Sequence, residues 1–220
     1  MQTLTLDFFH RTAADDVRRT APSPRPRSRR GTLALVLGLG IAGFAVGAVQ
    51  ADDAAAIEAF VASGALDFID DAAVIDAVRA QNAANAALTQ ADIDTLDATW
   101  RAEIGAAETP TIDTVVGSAV STYLRAQIEA GAGLFTEVFV MDSHGLNVAS
   151  ASVTSDYWQG DETKFSETFP KGPDAVHVGE IERDESTMTY QVQISRTLTD
   201  PDSGEPIGAA TFGVDAEALF

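Results

Sequence analysis

The residues best suited to chemistry gather between 156 and 164. Asp156-Tyr157-Trp158, followed by Asp161, sets two aromatic rings beside two carboxylates. Rings give an organic molecule a wall, and carboxylates pair with a cationic group such as an amine. The same residues also read as a core plug with solvated acids, and the sequence leaves both readings open. Tyr123 and Tyr190 add phenols that suit a pocket wall or plain core packing; either way a buried hydroxyl needs a partner. Catalysis finds little to work with. The histidines are His10, His144 and His177, and no two stand four apart for a metal. Nucleophile elbow, phosphate-cradling loop and dinucleotide fingerprint are all missing. Glu180 and Glu182 share one strand face, which a solvated edge explains as well as a carboxylate pair. No catalytic residue, metal ligand or cofactor is expected, and the chain does not read as an enzyme.

Composition narrows the classes further. In 220 residues there is no cysteine, which excludes a disulfide framework, a thiolate zinc site, an iron–sulfur cluster and a cysteine nucleophile. The net charge is −19, the wrong sign for neutralising nucleic-acid phosphates or docking on anionic lipid. The charge is also uneven. Residues 1–51 hold seven of the 14 Lys+Arg but three of the 33 acids, leaving residues 52–220 at −23. Arg25–Arg30 is followed by an uncharged apolar run from Gly31 to Val49, then Gln50-Ala51. A basic region, an apolar stretch and small residues at a cut read as a signal peptide cleaved after Ala51. The competing reading is an uncleaved anchor in the inner membrane, since a run of this length can span a bilayer. Both put residues 52–220 in the periplasm.

The elements that must position the 156–164 cluster can be read from periodicity. Residues 53–88 are Ala-rich with two apolar stripes (Ile57, Phe60, Val61 and Val74, Ile75, Val78), broken near Asp67–Asp71. Thr89 with Asp92 forms a capping signal, and Ile93, Leu96, Trp100 and Ile104 line one face of the next helix. Ile112 to Ala130 reads as one further helix, ended by Gly131-Ala132-Gly133. From Leu134 the period changes. Phe135–Met141 and Leu146–Ser150 are strands around the turn Asp142-Ser143-His144-Gly145, and a polar, aromatic loop or short helix covers Ser152–Gly172. Ala175–Glu182, Thr189–Leu198 and Ile207–Val214 are three more strands, the last two joined by Asp200-Pro201-Asp202-Ser203-Gly204. In the fourth strand Tyr190, Val192, Ile194 and Leu198 alternate with Gln191, Gln193 and Ser195; in the fifth, Gly208 and Gly213 allow close approach. Helices followed by strands predict an α+β fold with an antiparallel sheet. The expected organisation is a leader over 1–51, a helical region over 52–133, and a sheet over 134–220 forming one domain with 85–133.

Phe139-Val140-Met141-Asp142-Ser143-His144-Gly145-Leu146-Asn147-Val148-Ala149 resembles the opening hairpin of Cache sensor domains, the extracytoplasmic PAS-like (PDC) modules of bacterial receptors. Ser155 to Glu162 with Lys164-Phe165 resembles the segment that closes the family's ligand pocket. Thr199 to Gly204 and Ile207 to Asp215 resemble its terminal hairpin. The resemblance covers roughly residues 85–219 and implies N-terminal helices packed on a five-stranded antiparallel PAS-like sheet. A ligand would then sit between the sheet and residues 152–172, contacted by Tyr123, Asp156, Tyr157, Trp158, Asp161, Lys164 and Tyr190. Lys164 stands where family members place a basic residue that holds a ligand carboxylate. The expected function is a free-standing periplasmic sensory module that binds an amino acid, organic acid or amine. It would relay occupancy to a membrane receptor or kinase, as a monomer or homodimer. The alternative is a non-catalytic periplasmic protein that uses the same fold for interaction or dimerisation.

Overall fold

A computed structural model describes residues 51–183 and 189–220. The leader expected over residues 1–51 lies outside the described residues apart from Ala51. Helices α1 (Ala51–Ala62), α2 (Ala72–Asn85), α3 (Gln90–Glu103), α4 (Pro110–Val116) and α5 (Ala119–Ala130) come first. Strands β1 (Phe135–Met141) and β2 (Asn147–Ser150), the short helix α6 (Thr163–Ser166), strands β3 (Val176–Arg183), β4 (Tyr190–Thr199) and β5 (Pro206–Asp215), and the terminal turn of helix α7 (Ala216–Leu219) follow. The strands form one antiparallel sheet in the order β2-β1-β5-β4-β3. The fold is α+β, as the switch of period at Leu134 predicts.

Local chemistry explains most of the boundaries. The break between α1 and α2 holds a 3-10 turn, Asp67–Asp70, and the Asp71 carboxylate then caps α2 by accepting from Ala73 N. Thr89 and Asp92 cap α3 reciprocally, and those bonds hold the Asp92 carboxyl below its usual range. The single helix expected over 112–130 is two helices. The Ser118 hydroxyl accepts from Ser121 N and starts a new helix there, because a serine beside a glycine favours a cap over a helix interior. Ile104, expected on the buried face of α3, is 47% exposed. The helix ends one residue earlier, and the buried group is the Glu103 carboxylate, which accepts from Thr111 N, Thr111 Oγ1 and Ile112 N at the start of α4. Burial works to raise the Glu103 carboxyl, but those three bonds outweigh it and hold it below the usual range.

One face of the sheet is apolar. Val138 and Val140 of β1, Val192, Ile194 and Leu198 of β4, and Phe212 and Val214 of β5 pack against Leu66, Ile69, Val74, Val78 and Leu124 from the helical side. Register aligns them, with Val138 opposite Phe212 and Phe212 opposite Ile194. The helix layer is fastened to the sheet by polar side chains at the end of α2. Asp142, fully buried in the β1–β2 turn, accepts from Gln81 Nε2 (3.0 Å) and Asn85 Nδ2 (2.7 Å). Its other oxygen accepts from His144 N and Leu146 N. Between those two helix residues, Asn82 donates to Ile207 O and accepts from Ser143 N. A turn earlier, Arg79 donates to both oxygens of Asp200 and to Asp202, tying α2 to the β4–β5 turn as well.

Two predictions follow from these ties. Truncating Asp142 removes a fully buried acceptor from Asn85 Nδ2, His144 N and Leu146 N and leaves Gln81 its weaker bonds to Leu146 O and Asn147 O, so Asp142→Ala should destabilise the fold by ~2–4 kcal/mol, read as a lower urea midpoint at unchanged slope. The Arg79 guanidinium, with Asp202 N, holds the Asp200 carboxyl well below its ordinary value of 3.8. In acid the unfolded chain therefore binds the extra proton first. The contribution is complete above the ordinary value and is lost as pH falls through and below it. The urea midpoint of the native chain should drop more steeply from pH 4 to pH 3 than that of Arg79→Met; parallel curves would exclude the coupling.

Candidate functional site

The opposite face of the sheet is built from different residues. Down β4 it carries Gln191, Gln193, Ser195 and Thr197, the last three in register with Gly213, Thr211 and Ala209 of β5. Ser195 and Thr211 share a hydrogen bond (2.9 Å). Gln193 Nε2 donates to Glu137 Oε1 at 2.7 Å, and Thr136 Oγ1 donates to Gln191 Oε1. Both bonds pass over β5 at Gly213. A Cβ there would come within 2.4 Å of Thr136 Oγ1 and 2.6 Å of Glu137 Cγ, so only glycine lets the polar groups of β1 and β4 meet. A bulge between Phe135 and Glu137 brings Thr136 to this face beside Glu137.

Residues 163–171 cover this face, and they divide it. Phe165 packs on Phe139, Met141 and Ala209, and its ring stacks on Phe169 with centroids 5.3 Å apart. That half is filled. The other half, between α6 and the β3–β4 pair, is a cleft of about 500 Å³. Gln191, Gln193 and Gly179 floor it, and Glu162, Thr163, Lys164, His177, Glu180 and Glu182 stand around it. Lys164 is the one cation among the groups lining it. Its side chain is 15% exposed, with Nζ 2.9 Å from Glu162 Oε2 and 5.4 Å from the centre of the Phe139 ring. Among the described residues no three His, Asp or Glu side chains converge on a metal position.

Of the site residues expected from sequence, Lys164 lines the cleft and the other six lie elsewhere. Tyr157 stacks on Trp100 of α3 (5.3 Å, 13° between planes). Its amide and that of Trp158 donate to the buried carboxylate of Asp97, which also pairs with Arg101. Leu146 bridges Trp158, Tyr157 O accepts from Asn147 N, and the Trp158 indole donates to His144 O. The segment 155–160 therefore extends the β2 edge of the sheet and is held by α3, instead of closing over the cleft. The reason is that the Tyr157 ring finds the face of Trp100 on α3 and the backbone amides of Tyr157 and Trp158 find the Asp97 carboxylate there. Burial, with the Asp142 charge second, pushes the Tyr157 phenol up to about 12. Asp156 pairs loosely with Arg101 at 3.4 Å, and Asp161 is exposed. Tyr123 lies on the helix-covered side, donating to Phe68 O; burial and then the Asp71 charge raise its phenol. Tyr190 is 54% exposed at the start of β4, opposite Arg183. The cleft residues that sequence reasoning passed over as a site are His177, Gln191 and Gln193, with Glu137 holding Gln193 from β1. Their signal was the polar side of an otherwise apolar alternating strand, together with Gly213 on its neighbour.

No family model matches the chain, and no curated protein matches it in sequence. Solved structures similar to it include the sensor domain of the V. cholerae histidine kinase DctB (TM-score 0.37, 13% identity, 76% of this chain and 58% of that one). Another is the ligand-binding domain of the Campylobacter jejuni chemoreceptor Tlp3 in complex with 4-methylisoleucine (0.36, 13%, 66% and 58%). A third is the ligand-binding domain of the Pseudomonas aeruginosa amino acid chemoreceptor PctC in complex with GABA (0.36, 14%, 57% and 52%). The chain thus spans little more than half the length of these three.

Gly213→Val tests the floor. The branched side chain must push Glu137 and Gln191 apart, so stability should fall by ~1–3 kcal/mol in urea titration. The Gln193 side-chain amide signals should move toward free values in an NMR spectrum, while the Trp100 indole signal stays in place.

Proposed function

We propose that the chain is a periplasmic sensory module of the Cache type that takes a small organic ligand, an amino acid, organic acid or amine, into the cleft under α6. The observation that carries this reading is the divided sheet face. An apolar plug fixes one half of the cover, and a polar-floored cleft of about 500 Å³ stays open beside it, a volume within the usual range for small-molecule sites. The β2-β1-β5-β4-β3 order supports the same reading, as does the basic leader with its apolar run, which would bring the domain to the periplasm. Relay would run through β4. Its Gln191 and Gln193 floor the cleft, while Arg196 on the other face pairs with Asp67 and Asp70 between α1 and α2. A ligand that shifts β4 would be felt in the helices, and through them by a receptor or kinase partner.

The interaction reading draws on a separate observation. Val176 and Tyr190 are exposed at the ends of the β3–β4 pair, and β3 is an edge strand open to a partner. In that case the fold would be a scaffold for association and the cleft would stay empty.

Melting curves of the whole chain against a panel of amino acids, organic acids and amines separate the two. A true ligand at about 100 times its dissociation constant adds ~2.7 kcal/mol, or roughly 5–10 °C for a domain of this size. Gln193→Leu should abolish the shift. Absence of any shift across the panel, with concentration-dependent dimers that Tyr190→Glu dissociates, would replace the sensory reading with the scaffold one.

A further inference from the structure

Lys164 stands at the border between the cleft and the plugged half, with a cleft carboxylate on one side and the buried Phe139 ring of the plugged half on the other. Its ammonium sits 2.9 Å from Glu162 Oε2 and over the face of Phe139, 5.4 Å from the ring centre. A carboxylate on one side and an aromatic face on the other is how an ammonium group is recognised. The occupant here is the tip of a flexible four-carbon stem carried on a single turn of helix, able to swing to water with its charge intact. The surroundings favour a second cation over an anion. Three carboxylates (Glu162, Glu180, Glu182) line the cleft against one lysine, with His177 the remaining titratable group among its lining residues, and a fourth carboxylate, Glu137, is bonded to the Gln193 floor. An incoming carboxylate would meet these acids. It would also have to win Lys164 away from Glu162.

We propose that Glu162 and Phe139 form an ammonium subsite that Lys164 fills in the free protein, and that the cleft selects a primary amine whose ammonium displaces Lys164 from it. This rests on the ligand-binding reading above and narrows it to one class. It also reverses the role expected from the family resemblance. Lys164 holds the place of the ligand's cationic end and does not clamp an anionic end. Displacement frees the stem of α6, so occupancy of the subsite and the position of the cover are linked.

The test uses the whole chain and n-propylammonium, which has the atoms that Lys164→Ala removes. Lys164→Ala should bind propylammonium saturably, read as a rising melting temperature. The native chain should need roughly tenfold more, because its own lysine competes. Sodium chloride at equal ionic strength, n-propanol and propionate should give no saturable shift, and Lys164→Ala with Glu162→Gln should lose the response. A response of Lys164→Ala to sodium chloride as large as to propylammonium overturns the proposal. A second measurement needs no variant. The chain has two lysines, Lys164 and Lys171, and Lys171 is an exposed control paired with Glu167. In lysine-labelled native protein the Lys164 ε-methylene signal, shifted by the Phe139 ring, should move to the Lys171 position as an amine is added. An organic acid that stabilises the chain and leaves that signal unmoved overturns the amine selection and upholds ligand binding. Propylammonium uptake by Lys164→Ala, with no panel compound stabilising the native chain, upholds the subsite and removes the sensory reading.

Discussion

The carboxylate of Asp142 is the joint on which the architecture turns. It lies in the first hairpin, out of contact with water, and its four acceptor positions are shared between two amides of its own turn and two side-chain amides of α2. A buried charge without such partners would be expelled or neutralised; with them it is a directional lock. The helix must present Gln81 and Asn85 on one face, and Asn82 beside them reaches Ile207 of the other hairpin. The helix layer is thereby aligned with the sheet before apolar packing between them is counted. Packing alone is non-directional and would tolerate a slide of α2 along the β face.

The same device recurs. Asp97 accepts two backbone amides of the 157–158 segment, and Glu103 accepts two from the first turn of α4. Each is an acid buried in the helical half of a strongly acidic chain, and each replaces a missing secondary-structure partner of a backbone N–H. Irregular connections between α3, α4 and β2 can therefore run close to the core without leaving amides unsatisfied.

On the far side of the sheet, two kinds of packing meet at Gly213. Toward β2 the face is closed by aromatic stacking of Phe165 and Phe169 over Phe139. Along β4 and at Thr136 and Glu137 of β1 it is lined by amides, a hydroxyl and a carboxylate that bond to each other across the glycine. Hydrated polar groups resist collapse of the cover, while the apolar half holds that cover in place. An open cleft next to a tightly fixed lid is the physical result.

Much of the fold was legible in the sequence. The run Phe135–Met141, the alternation of β4, the turn at 200–204 and the Thr89–Asp92 cap are local signals, and each depends on residues within one or two turns of chain. The change of period at Leu134 determined the α+β class. The sequence also put Gln191 and Gln193 on the polar side of a half-buried strand and marked Gly213 as a point of close approach. What it could not determine was which surface the 155–160 aromatics would choose. That choice rests on Trp100 and Asp97, more than 50 positions away, whose competition with the sheet face for the same rings has no local trace. The burial of Asp97, Glu103 and Asp142 was likewise decided only by tertiary structure, because an acid reads as solvated until distant amides are folded around it.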